Sequence, residues 1–383
     1  MALHFARDEY EARMARVQAD MAERKLDALL LFSQESMYWL TGYDTFGFVF
    51  FQCLVVKRDG RMSLITRSAD LRQARHTSII EEILVWTDRA GVDPTRALKD
   101  HLFELDLLGA HIGVELDTHG LTARNGQRLD DQLRRFGTLH DASDLVPALR
   151  AIKSPAEIAI VREAARLGDA AWRAGVDMAA PGVDEGAILA AMQGSVLAGG
   201  GDYPGNEFVI GSGEDALLCR YKSGRRALSA DDQMTIEIAG VWRHYHAAMM
   251  DTVVIGTPRP RQHELFDAAE AALARVVAAM RPGNTFGEVF EAHAQELNDR
   301  DMQAHKLNAC GYSLGATFTP SWMDPPMFYS GNEAAVEPNM VLFAHMILMD
   351  SESRTAMTLG RTYLTTDADA EPLSAIAPAF VAR

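Results

Sequence analysis

Between residues 8 and 26 apolar side chains recur at helical spacing (Tyr10, Met14, Val17, Met21, Leu26), and the unbroken run 28–32 that follows suits a buried strand. A second strand is predicted over 46–56, and the turn Arg58-Asp59-Gly60-Arg61 ahead of residues 62–65 reads as a hairpin. Helical stretches near 69–76, 94–107 and 123–135 alternate with strands at 83–86 and 112–115. That alternation is the pattern of an α/β layer domain, expected over residues 1–150.

A boundary is expected near 149–155. Ser154 reads as an N-cap, Pro155 as the first helical residue and Glu157 as part of the first turn. The domain expected over 151–383 contains an internal echo. Met178-Ala-Ala-Pro-Gly-Val-Asp and Met280-Arg-Pro-Gly-Asn-Thr each follow a long helix and open another, with Asp184 and Thr285 as N-caps. A Gly-rich stretch and strand-like segments follow each copy. Two related α+β halves of this kind share one sheet and place a site at their seam.

Composition narrows the class. The 383 residues are 48% hydrophobic and carry 37 Lys+Arg against 53 Asp+Glu, a formal net charge of −16. Such a chain has ample core for two or three domains, and its acidity without a basic run argues against nucleic acid and anionic membranes as partners. Cys53, Cys219 and Cys310 are an odd, widely spaced set, which predicts reduced thiols in a cytoplasmic protein. The N-terminus meets acidic residues before any apolar run, so no signal peptide is expected, and no apolar stretch reaches the ~20 residues of a membrane span.

Candidate chemistry collects in the second domain. Residues 234–256 read as two strands joined by a turn at 240–243, with His244, His246 and Ala248 on one face of the second. Glu237 stands between Ile236 and Ile238, a costly place for a carboxylate unless it is paired or its pKa is raised. Beside two imidazoles it suits acid–base or nucleophilic work, or a structural Glu–His pair. His345 is the only ionisable residue inside the apolar strand 340–349 and reads either as a core residue or as a functional one. Residues 309–326 look like a tight loop presenting polar groups and an aromatic wall at Trp322. A G-x-S-x-G nucleophile elbow, a P-loop, an HExxH helix, an EF-hand and a dinucleotide-binding pattern are not expected.

These residues carry a resemblance to the creatinase/prolidase/aminopeptidase P superfamily. Asp27-Ala-Leu-Leu-Leu-Phe, Tyr38-Trp-Leu-Thr-Gly-Tyr, Ala151-Ile-Lys-Ser-Pro-Ala-Glu-Ile and Glu337-Pro-Asn-Met-Val are similar to its landmarks. The resemblance implies an α/β N-terminal domain followed by an α+β "pita-bread" catalytic domain with a pseudo-twofold internal repeat. The family's peptidases hold two metal ions with five side chains, whose places fall here on Glu237, Ala248, Tyr312, His345 and Gly360. Alanine and glycine offer no side-chain donor, so no metal or other cofactor is expected.

Within the family, the metal-independent ectoine hydrolases look most similar: Gly200-Gly-Asp-Tyr-Pro, Glu237-Ile-Ala-Gly-Val, Arg243-His-Tyr-His-Ala, Cys310-Gly-Tyr and Pro320-Ser-Trp resemble their segments. A family histidine is replaced by Arg220, which with Lys222 adds positive charge suited to a substrate carboxylate. The resemblance thus implies a hydrolase opening a C–N bond of a small zwitterionic or cyclic nitrogen compound. Glu237 is then nucleophile or base, His345 and His246 proton carriers, and Tyr312 an oxyanion donor, with Arg220, Tyr203, Trp322 and His244 contacting substrate. An Xaa-Pro peptidase with an atypical metal site and a non-catalytic binder on the same fold are the alternatives. A homodimer is implied, with N-domain residues around 43–48 reaching the partner's site.

Overall fold

In the computed structural model, which describes residues 3–220 and 226–383, the chain divides into two units, Met1–Arg150 and Ala151–Arg383. The first comprises α1 (Arg7–Glu23), β1 (Ala28–Leu31), α2 (Gln34–Thr41), β2 (Cys53–Lys57), β3 (Met62–Arg67), α3 (Leu71–Thr77), β4 (Glu82–Trp86), α4 (Pro94–Glu104), β5 (His111–Val114), α5 (Ala123–Leu133), β6 (Thr138–Asp141) and α6 (Leu145–Ala151). Its mixed six-stranded sheet has the order β4-β3-β2-β1-β5-β6. Strand β1 is apolar at every position because both faces are covered: Leu29 and Leu31 join the core of Met14, Val17 and Met21, while Ala28 and Leu30 join that of Leu98, Leu102 and Leu129. The buried Glu115 carboxyl group accepts from Phe32 N, Ser33 N and Ser36 Oγ at 2.9, 2.7 and 2.5 Å and so ties down the start of α2.

The strand expected over 46–56 is only partly formed. Residues Gly47–Val49 make a 3-10 turn and pairing begins at Cys53. Phe46 is 81% exposed, so its apolarity does not mark a sheet position.

The second unit comprises α7 (Pro155–Met178), α8 (Glu185–Ala198), β7 (Val209–Ser212), β8 (Asp232–Trp242), β9 (Tyr245–Ile255), α9 (Pro260–Ala279), α10 (Phe286–Asp299), β10 (Gly311–Ser313), β11 (Asp324–Met327), β12 (Val341–Asp350), β13 (Thr355–Leu364), β14 (Glu371–Pro372) and β15 (Val381–Ala382). The sheet order is β11-β10-β12-β13-β9-β8-β7, with β14 on β13 and β15 on β9. The echo in the sequence is this architecture. β7-β8-β9 and β10-β12-β13 are two antiparallel triplets meeting at β13 and β9, each preceded by a helix, a Pro-Gly turn and a second helix. The N-caps correspond as well: Asp184 bridges Ala227 and Thr285 bridges Ala335, and each caps its helix through its side chain. This is the pita-bread fold with its internal repeat. The seam ladder is short, pairing Leu359 with Asp251 and Gly360 with Met250.

Behind the seam, α7 lies unusually close to β8. Ala164, Ala165 and Ala247 form a cluster of small residues there. A Cβ on Gly240 would overlap the carbonyl oxygen of Ala164 and the backbone of Gly168. No helix among the described residues is long and apolar enough to cross a membrane. The close helix–strand contact predicts that Gly240→Ala costs about 2–4 kcal/mol, because two stretches of backbone must separate. Urea unfolding of the two proteins measures it, and a loss below ~0.5 kcal/mol would show that the contact yields freely.

Candidate active site

The face of the second sheet turned away from α9 and α10 carries two cross-strand rows. One runs Val209, Glu237, Met250, Gly360, His345. The next runs Ala239, Ala248, Thr362, Phe343, Tyr312, its two halves joined by Thr362 Oγ1, which accepts from Ala248 N at 2.9 Å and donates to Ala248 O at 2.8 Å. The period of two in the strands sets this membership, since Leu342, Ala344 and Met346 face the helices.

Glu237 is half-buried. Tyr312 Oη donates to Glu237 Oε1 at 3.1 Å, and Trp322 Nε1 donates to Tyr312 Oη at 2.8 Å. Burial pushes the Glu237 carboxyl up to about 7, held down only in part by the Tyr312 bond and the charge of Arg220. Burial and the neighbouring Glu237 drive the Tyr312 phenol well above its ordinary range. It therefore stays protonated, and its single proton is committed to Glu237. Arg220 is exposed, yet its charge acts on Glu237, Tyr312 and His345.

His345 packs its ring against Tyr312 and Phe343, with centroids 5.5 and 5.4 Å away. Its Nδ1 is buried with no hydrogen-bond partner among the described residues. Burial lowers its pKa to about 3, so the ring is neutral. The space above Gly360 is taken by the Phe343 ring: a Cβ there would meet Phe343 Cζ at 2.8 Å and Cε2 at 2.9 Å. Among the described residues, no three His, Cys, Asp or Glu side chains are grouped as a metal cage.

The remaining sequence candidates are placed differently. His246 is fully buried, and both of its ring nitrogens are occupied: Nε2 accepts from Gly205 N at 2.8 Å and Nδ1 meets Thr317 Oγ1 at 3.1 Å. His244 is not on the strand beside it. Arg243 and His244, both at positive φ, form the two-residue turn between β8 and β9, where 240–243 was expected to turn. His244 stacks on Phe318 at 4.3 Å. Tyr203 is 80% exposed, while Trp322 is buried behind Tyr312. Lys222 lies outside the described residues.

The expected loop around Tyr312 is strand β10, so its side chain direction is fixed by pairing with Phe343. Contrary to the expectation that no nucleophile elbow is present, residues 311–315 satisfy the G-x-S-x-G spacing, but Ser313 is fully buried in β10 and its Oγ meets Lys153 Nζ and Val341 O at 3.4 Å. Phe343 went unmarked in the sequence because an aromatic in an apolar strand carries no distinguishing signal.

Comparison with known proteins identifies the family. Residues 159–367 match metallopeptidase family M24, and residues 13–152 match the creatinase/prolidase N-terminal domain. The chain is 28% identical over 365 residues to the ectoine hydrolase of Halomonas elongata, covering 89% of each chain. It is 29% identical over 385 residues to an uncharacterised hydrolase/peptidase of Sinorhizobium fredii, covering 97% of each. Among solved structures it resembles the recombinant prolidase of Thermococcus sibiricus, with a TM-score of 0.88 at 16% identity over 98% of this chain and 99% of that one.

The displaced titration of Glu237 has a consequence for stability. Folded, the group titrates near 7, and unfolded near 4.5. Between those values the folded state holds the extra proton, so stability falls as pH rises through the window, and the group's contribution is fully present only below about 4.5. Glu237→Gln removes the penalty, and its stability relative to the parent should rise by up to about 3 kcal/mol between pH 4.5 and 8. Denaturant unfolding at both ends measures this, and a difference independent of pH would refute the displaced titration.

Proposed function

Since the chain belongs to metallopeptidase family M24, with a creatinase/prolidase N-terminal domain ahead of the catalytic one, we propose that this hydrolase opens a C–N bond in a small zwitterionic or cyclic nitrogen compound without a metal ion. One observation carries the reading: a half-buried carboxylate poised near neutrality, clamped by a phenol, on the same face as an imidazole nitrogen that has no partner among the described residues. Catalytic bases are tuned in this way.

Without a metal to acidify water, Glu237 itself removes the proton from water, or attacks the carbon directly. In the first case the hydroxide oxygen adds to the amide or amidine carbon, the C–N bond breaks, and the proton passes to the leaving nitrogen. Tyr312 is tied into this step. While Glu237 is ionised the phenol donates to it; once Glu237 takes a proton, the phenol is released to donate to the oxyanion that forms at the same moment. His345, neutral and with no partner at Nδ1 among the described residues, relays the proton from Glu237 to the leaving nitrogen. Arg220 holds a substrate carboxylate. His246, with both nitrogens occupied, holds the site's shape instead of carrying protons.

Support for the metal-free part comes from the donor set. Ala248 and Gly360 have no side-chain donor, and Phe343 fills the space that a side chain at 360 would need. Similarity to an ectoine hydrolase favours a cyclic amidine among the candidate substrates. A cytoplasmic homodimer belongs to the same proposal, and the exposed Phe46, Val49 and Phe50 suit an interface.

The test is a panel of ectoine, creatine and Xaa-Pro dipeptides with metal analysis of the purified protein. Turnover of the amidine or amide is expected, insensitive to chelators, with kcat/KM falling on the acid side about an apparent pKa near 7. Glu237→Gln should lose about 10²–10⁴-fold with its fold intact. Stoichiometric Mn, Co, Zn or Fe with cleavage confined to the dipeptides would overturn the proposal in favour of a peptidase.

A further inference from the structure

The buried imidazole of His246 connects two loops, one from each half of the duplicated unit. Gly205 N donates to Nε2 at 2.8 Å, so that nitrogen is unprotonated; the proton is on Nδ1, which donates to Thr317 Oγ1 at 3.1 Å. His246 N in turn donates to Gly315 O at 3.2 Å. The first loop then grips Trp322. Asn206 Oδ1 accepts from Trp322 N at 3.1 Å, and Gly205 lies so close that a Cβ on it would meet Trp322 N at 3.0 Å. The indole ring is flanked by His246 and Phe208 at 6.2 and 6.4 Å. Its Nε1–H points at Tyr312 Oη, and Tyr312 at Glu237.

We propose that His246 is a positioning residue: as a neutral latch between residues 205–206 and Thr317, it fixes Trp322, and through Trp322 it holds the Tyr312 phenol on Glu237. The inference rests on the reading of Glu237 as the reactive group, but the latch itself is observable without turnover. Desolvation lowers the His246 pKa to about 3, with a further push from His244, so the acceptor at Nε2 persists across the working range. The two nitrogens have unequal duties. Nε2 holds the strand of chain that grips Trp322, whereas Nδ1 serves only Thr317. Glutamine places its terminal amide near the Nε2 position and asparagine near Nδ1, so the latch predicts that they behave differently. A histidine that merely filled space would not distinguish them.

The experiment uses the full chain labelled with ¹⁵N at the indole nitrogens of its five tryptophans, Trp322 being assigned by the signal lost in Trp322→Phe. In His246→Gln the Trp322 indole signal should keep its shift and its slow exchange with solvent. In His246→Asn it should move, with exchange faster by about tenfold or more. On any compound that the parent hydrolyses, the Asn variant should lose about tenfold in kcat with KM little changed, and Gln should restore most of it. Equal behaviour of the two variants, or an indole unmoved in both, overturns the latch. If the Asn variant does not fold, Asn206→Ala decides, because it cuts the next link and must release the indole; an unmoved signal there refutes the proposal. A parent that hydrolyses nothing defeats the hydrolase reading alone, and the indole signal still judges His246.

Discussion

A single hydrogen bond, from Tyr312 on β10 to Glu237 on β8, constrains the catalytic unit. Three strands, β12, β13 and β9, lie between the two. In a flat sheet, four strand spacings would hold them about 19 Å apart, beyond the reach of a tyrosine and a glutamate together. The sheet therefore has to curl, and the floor of the curl has to be low. The residues beneath are Ala239, Ala248, Thr362 and Gly360, and the ring of Phe343 is accommodated because Gly360 has no Cβ to oppose it. Small residues on the reactive face and the glycine contact behind β8 serve one geometry: without the first the arms could not meet, and without the second the supporting helix could not approach.

The seam between the halves carries that geometry with few direct bonds. Its short ladder is reinforced from behind by Arg361, whose guanidinium binds Asp251 at 2.9 Å and the carbonyls of Gly360 and Met250, with Trp172 donating to Asp251 at 2.6 Å. Both ions are almost completely buried. A buried pair of this kind is weak evidence for stability, and its clearer value is in specifying register. Register matters here, since a slip of one residue would break the row that joins Glu237 to His345 through Met250 and Gly360.

What could be read from the sequence follows from what is local. The Pro-Gly turns with their N-caps exposed the duplication, and Glu237 between two isoleucines marked an expensive carboxylate that proved to face a phenol. The turn falls at Arg243 and His244, later than the expected 240–243, and takes His244 off the strand, because a two-residue turn at positive φ can be built from residues other than the Asn and Gly that usually advertise it. His246 drew attention as a histidine near a glutamate, and alternation put it on the correct face. Whether its nitrogens were free depended on Gly205 and Thr317, 41 and 71 residues away. Phe46 shows the converse: an apolar residue in an apolar run that no sheet covers.

The coupling of Tyr312 to Glu237 also bears on which bonds such a site can open. A phenol freed only when the carboxylate takes up a proton stabilises negative charge that appears together with that proton, as in addition to a carbonyl. An amidine carbon accepts the same hydroxide with less need of an oxyanion donor, because its cationic nitrogen absorbs the electron pair. A carbonyl substrate would thus draw on Tyr312 as an electrophilic donor, while an amidinium would draw mainly on the Glu237 charge, with Arg220 in either case holding a carboxylate at the exposed side. The carboxylate poised near neutrality fits both. Only an amide would need the phenol's proton at the moment of addition, whereas the cyclic amidine that the proposal favours would lean on the Glu237 charge.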